Sequence, residues 1–219
     1  MAELYRQAIC EKSFKEMLRF VSQANGLGEA PLLFGGWAVY YYHQYAGSKD
    51  VDFAVSDKFF EPLYDFLVKD GYTIKESRLV KGGVIFDIYE QSGEIHPDAP
   101  PLKLLYEGSE RVYLKKYASI IASGEVLIPS KPMLLYFKIS ALSTRSVPKD
   151  RNDVIALLLK ADEEELSELS VLLSKPELKT RLSTLRNDEQ GLALVTAPTQ
   201  RNLNLLNSKI KRLVGMTKH

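Results

Sequence analysis

Cysteine is almost missing from this sequence: Cys10 is the single one among 219 residues, beside only three histidines. One thiol closes no internal disulfide, and without a Cys or His cluster a zinc site is not expected. Cys10 is expected to be a small core residue, the usual fate of a free cysteine. No window supplies the roughly 18 uninterrupted apolar residues of a membrane span. The charged segment Met1 to Lys15 has no apolar leader character, which makes the cytoplasm the expected compartment. Charge of one sign is missing too: 29 basic residues stand against 28 acidic ones, a formal net charge of +1. No global field therefore draws the chain onto nucleic acid, and any such contact must be local. The sequence has an acidic stretch (Asp162, Glu163, Glu164, Glu165, Glu168) and a basic tail (Arg201, Lys209, Lys211, Arg212, Lys218). Solvated helix faces account for both as well as binding patches do.

What is present is an ordinary globular composition, 45% apolar and 26% charged. The length suits one compact core with a smaller appended lobe. The expected division is an α/β core over 1–130 and a helical C-terminal lobe over 131–219. Apolar side chains at helical spacing from Glu3 to Ala24, stopped by Asn25-Gly26, predict an N-terminal helix. Pro31 to Phe34 reads as a short strand running into Gly35-Gly36, followed by a helix over Trp37 to Tyr45. Asp50 to Val55 alternates as a strand with one polar face. Ser56 is placed to cap a helix ending at Gly71. Tyr72 to Leu79 and Val84 to Tyr89 read as two strands joined through Lys81-Gly82-Gly83. Pro97, Pro100 and Pro101 imply loop in the stretch between Glu90 and Ser130, with an edge strand at Glu125 to Ile128. Beyond Ser130, helical spacing predicts helices from Ser130 through Leu142, over Asp150 to Leu159, over Glu164 to Leu173 and over Asn202 to Val214.

Chemistry concentrates between Leu32 and Val55. Successive strand side chains point to opposite faces, so Asp50 and Asp52 project together, within reach of one cation. Two such carboxylates repel unless solvent or a divalent ion neutralises them, and magnesium favours carboxylate oxygens together with substrate phosphates. Gly35-Gly36 clears side chains where a backbone must approach a phosphate, and the following helix N-terminus offers amide donors. Each signal alone is common, and a D-x-D pair is also how a solvated strand reads.

Their order is more specific. The run LLFGGWAVYYYHQYAGSKDVDFAV, with thirteen residues between Gly36 and Asp50, resembles the signature of the nucleotidyltransferase superfamily. Within it, the chain is most similar to abortive-infection (toxin-like) nucleotidyltransferases and related prokaryotic proteins. Their later motif is echoed in KPMLLYFKISALSTRSVPKDRNDVIALL by Lys138, Arg145, Lys149, Asp150 and Asp153. The resemblance implies a mixed sheet flanked by helices, with a helical C-terminal lobe. It also implies transfer of a nucleoside monophosphate from a nucleoside triphosphate such as ATP to a hydroxyl acceptor: RNA, protein or a small molecule. It implies two magnesium ions, manganese being an alternative, and an antitoxin-like protein as a partner. Asp50 and Asp52 become the metal ligands and catalytic carboxylates; Asp87, in the strand GVIFDIYE, is the candidate third of both sets. Gly35, Gly36 and Ser48 become the nucleotide-binding loop. Lys138 and Arg145, two helical turns apart, are candidate triphosphate contacts, with surface ion pairing the alternative. Asp150 and Asp153 are placed to cap the next helix. Trp37 and Tyr40 to Tyr42 are expected to pack rather than stack on a base, and His43 lacks a neighbouring nucleophile. Family members often carry Arg-x-Thr before the acidic pair, where this chain has Ala46, Gly47 and Ser48. That departure leaves two rivals to an active RNA or protein modifier: a fold relative impaired in turnover that binds or regulates, and an antibiotic-type transferase.

Overall fold

A computed structural model describes residues 7–95, 100–114, 124–142 and 148–215. The chain forms two compact units. In its described residues, the first draws on Met1–Ala38, Ala46–Ile95 and Pro101–Ser130, the second on Val39–Tyr45, His96–Pro100 and Lys131–His219.

The first unit is built on a seven-stranded mixed sheet: β1 (Leu32–Phe34), β2 (Asp50–Val55), β3 (Thr73–Lys75), β4 (Arg78–Lys81), β5 (Val84–Glu90), β6 (Ser109–Leu114) and β7 (Gly124–Pro129). Their order is β3-β4-β5-β2-β1-β7-β6. β2 runs parallel to β5, and β1 parallel to β7; the other pairs are antiparallel. The helices α1 (Gln7–Gly26), α2 (Gly35–Tyr42), α3 (Asp57–Lys69) and α4 (Leu102–Glu107) connect and cover these strands.

Alternation in β2 and β5 sorts the two faces. Val51, Phe53, Val55, Val84 and Phe86 are buried. Phe20 of α1 stacks on Phe53 at 4.8 Å between ring centroids and lies 5.5 Å from Phe86. Fully burying a side chain of this size contributes about 1.5–3 kcal/mol, so this aromatic cluster fixes which face of the sheet is core. The register then leaves Asp50, Asp52 and Asp87 on the other face.

Several sequence expectations need correction. The strand expected over Tyr72 to Leu79 is a hairpin, broken at Glu76 and Ser77, whose φ angles are +50° and +65°. Neither residue is a usual former of this left-handed turn, so the break carried no signal. The strand near Glu125 is not an edge: β7 lies between β1 and β6. Asn25, read as a helix stop, also clamps β7: its side chain accepts from the Glu125 N–H (2.7 Å) and donates to the Glu125 carbonyl (2.9 Å). α4 and β6 lie where loop was expected. Ser56 precedes α3 without a side-chain cap; its hydroxyl donates to the Glu29 carboxylate instead. Cys10 is half-buried, against Gly47, rather than a core residue.

The second unit holds α5 (Lys131–Ala141), α6 (Pro148–Lys160), α7 (Glu163–Leu172), α8 (Pro176–Ser183), α9 (Glu189–Val195) and α10 (Gln200–Gly215), together with the last turn of α2. α8 and α9 went unread in the sequence because each is too short to show a helical period. α7 opens on a capping box between Asp162 and Glu165. Lys209 of α10 caps the end of α6, donating to the carbonyls of Leu158, Leu159 and Ala161.

Candidate active site

β1 ends where the chain must turn at once into α2, and Gly35 makes that turn at φ +68°. The position is closed to any other residue on a second ground. A Cβ placed on Gly35 would lie 2.6 Å from Asp52 Cγ and 3.0 Å from Asp52 Cβ, and closer still to its Oδ2. The Asp52 carboxylate therefore rests against the backbone at the start of α2, where Gly36 follows. Ser48 is buried, and its hydroxyl accepts from the Asp50 N–H at 3.3 Å, steadying the entry into β2.

The register Asp52↔Asp87 brings two carboxylate-bearing residues side by side on parallel strands, where neighbours lie about 4.8 Å apart. Asp50 is two residues away on the same face. Its Oδ1 is buried without a hydrogen-bond partner, a costly state for a carboxylate oxygen. An oxygen-only donor set with an orphaned, buried carboxylate oxygen suits a hard divalent cation, so Asp50 and Asp52 fit a magnesium-type ion.

Asp87 is differently engaged. The β4–β5 register, one step beyond Leu79↔Phe86, puts Arg78 opposite it. Arg78 Nε donates to both Asp87 oxygens, at 2.8 and 3.1 Å, and Nη2 also bonds Oδ2. The same Nη2 lies 3.9 Å from Asp50 Oδ1. The hydrogen bond to Asp87 holds the guanidinium above the ordinary arginine pKa; burial opposes this, and the charges of Asp87, Asp50 and Asp52 add to it. Among the described residues no three Asp, Glu, His or Cys side chains converge as metal ligands. Arg78 was not singled out from the sequence, since only the hairpin and its register reveal it.

The other expected site residues belong to the second unit or to the helix that enters it. Lys138 is in the second unit, its side chain 6% exposed, 2.7 Å from Asp153 and 3.4 Å from Asp150. Tyr45 donates its hydroxyl to the same Asp153. This buried cluster, not a solvated surface pair, occupies the lysine's charge. Asp153 serves it rather than capping α6, while Asp150 sits in the first turn of that helix. Arg145 lies outside the described residues. Trp37 packs as expected, with its Nε1 donating to Ser13 at 3.0 Å and its ring 5.2 Å from Phe14. His43 is half-buried, and burial, reinforced by the nearby Lys160 charge, lowers its pKa below the usual histidine value. No described helix is long and apolar enough to cross a membrane.

Solved structures with this architecture include an antigenic nucleotidyltransferase-like protein from Paracoccidioides brasiliensis, with a TM-score of 0.54 at 20% identity over 87% of this chain and 93% of that one. The antibiotic-resistance factor ANT(2'')-Ia, whose structure was described with substrate-regulated conformation dynamics, is similar at a TM-score of 0.52 and 14% identity over 82% of this chain and 96% of that one. No family model matches the sequence, and no curated protein matches it. The chain is a mixed α/β protein with the nucleotidyltransferase-like fold, as the sequence pattern from Leu32 to Val55 led one to expect.

Proposed function

We propose that the protein is a metal-dependent nucleotidyltransferase that moves a nucleoside monophosphate from a nucleoside triphosphate to a hydroxyl acceptor. The observation that carries this reading is the closure of the Gly35 turn over Asp52, beside the orphaned Asp50 Oδ1. The turn into α2 accounts for glycine at position 35, but a bound ion would also supply the partner that Asp50 Oδ1 lacks, since Arg78 approaches it only to 3.9 Å. Asp50 and Asp52 hold the ion, which when bound neutralises charge on the reacting phosphates. The side-chain-free backbone of Gly35-Gly36 and the amides opening α2 orient the phosphate chain. Asp87, once free of Arg78, would bind metal or take the acceptor's proton.

A small-molecule acceptor is favoured over RNA. The likeness to an antibiotic-resistance factor points that way. So does the basic tail, in which Lys209 is spent on helix carbonyls and Arg212 pairs with Glu163. The rival reading, a binding or regulatory protein impaired in turnover with an antitoxin-like partner, draws on Arg78 sitting on Asp87. Incubation with α-labelled nucleoside triphosphates and magnesium or manganese tests the proposal, with a panel of hydroxyl-bearing antibiotics, total RNA and protein extract supplied separately. Label is expected on a small-molecule hydroxyl. Label on RNA or protein would overturn the acceptor, and triphosphate binding without transfer in any arm would favour the rival.

A further inference from the structure

The three carboxylates on the polar face of β2 and β5 carry a cation already, and it belongs to the protein. We propose that Arg78 competes with a divalent ion for Asp87, limiting the site to one metal ion on Asp50 and Asp52 until Arg78 is displaced. The inference rests on the metal-dependent reading above.

The guanidinium bridges the two strands that bear the carboxylates. It grips Asp87 through Nε at 2.8 and 3.1 Å and reaches within 3.9 Å of Asp50 Oδ1. A planar fork binding a carboxylate through two N–H groups uses up the oxygens a metal would need. Charge counting agrees: three ionised carboxylates less one guanidinium leave two negative charges, the complement of one divalent ion. Removing the arginine restores the third charge and frees Asp87 oxygens for a second ion.

Arg78 is also built to let go. Its side chain is 41% exposed, against 10% for Asp87. It sits on a hairpin whose outer strand, β3, is exposed at all three residues. The turn joining β3 to β4 holds two non-glycine residues at positive φ, a conformation that costs stability and so weakens the hold on the hairpin tip. Arg78 thus has a strong local partner on a strand whose one buried residue is Leu79.

The test is manganese titration, followed by the electron paramagnetic resonance of free ion and by calorimetry, of the parent, Arg78→Gln and Arg78→Gln/Asp87→Asn. The parent is expected to bind one ion. Arg78→Gln should bind at least tenfold more tightly or take up a second ion, and adding Asp87→Asn should erase that gain. Unchanged affinity and stoichiometry in Arg78→Gln, or a gain surviving Asp87→Asn, would overturn the proposal while leaving metal dependence intact. Absence of binding in every variant would overturn both. Should Arg78→Gln fail to fold, Arg78→Met, which removes both the charge and the fork while keeping an unbranched stem, must bind manganese more tightly than the parent; equal binding refutes the idea.

Discussion

Replacing Gly35 by alanine separates two costs that the structure makes distinct. The first is conformational: at φ +68° a Cβ meets its own backbone, for roughly 1–2 kcal/mol. The second is the neighbour. The new Cβ would sit 2.6 Å from Asp52 Cγ, whereas carbon atoms rest at about 3.5–4.0 Å, so the carboxylate must retreat by about 1 Å. Asp52 lies on a strand paired on both sides and cannot slide, so it must leave its rotamer, for a further ~0.5–1.5 kcal/mol. Gly71 supplies the control: its φ is +88°, and nothing lies within 4 Å of a Cβ built there. Gly71→Ala bears only the first cost, and the change in unfolded-chain freedom is common to both variants. Urea unfolding should therefore place Gly35→Ala roughly 1 kcal/mol below Gly71→Ala, with a loss of manganese affinity confined to Gly35→Ala. Equal stabilities together with unaltered manganese binding would refute the claim that Asp52 is pressed on this turn.

Two further outcomes follow from the second unit. Lys138→Met keeps the aliphatic stem but strands Asp153 and Asp150 in a buried setting, and should cost on the order of 3–5 kcal/mol in chemical denaturation; a loss under 1 kcal/mol would mean the cluster is solvated. The lowered pKa of His43 means that protonation opposes folding, so its contribution is complete above the unfolded value of about 6.5 and is lost as pH falls below it. An imidazole NMR titration should give a midpoint under 6.5, and His43→Gln should flatten the fall in stability on the acid side of that value; a midpoint above 6.5 contradicts the burial argument.

The part of the site that was legible in the sequence is the part fixed by local chemistry. An apolar strand, a glycine pair and a two-residue alternation of carboxylates are written in consecutive residues, and β1, α2 and β2 follow them closely. Arg78 was illegible because its position depends on a turn at Glu76-Ser77 that uses no glycine or asparagine, and on a register that only pairing sets. The central place of β7 was hidden for a similar reason. Its parallel pairing with β1 joins residues far apart in the chain, and no local pattern distinguishes a central strand of this length from an edge. Lys138 read equally well as a phosphate contact or a surface pair, since helical spacing gives a face but not what covers it. The structure shows Lys138 buried, with Asp153 on the next helix as a partner that spacing did not single out.

On the proposed function, the pairing of the Asp50 and Asp52 carboxylates serves a cation and not the fold. This is tested most directly by Asp50→Asn/Asp52→Asn, which keeps shape and removes charge. The measurement is manganese binding by calorimetry, paired with the melting temperature of the same samples. Binding should be lost while the melting temperature stays equal or rises, because neighbouring carboxylates repel in the metal-free protein. A double variant that binds manganese as tightly as the parent, or that melts far below it, would contradict the assignment and leave Asp50 and Asp52 as residues of an ordinary strand.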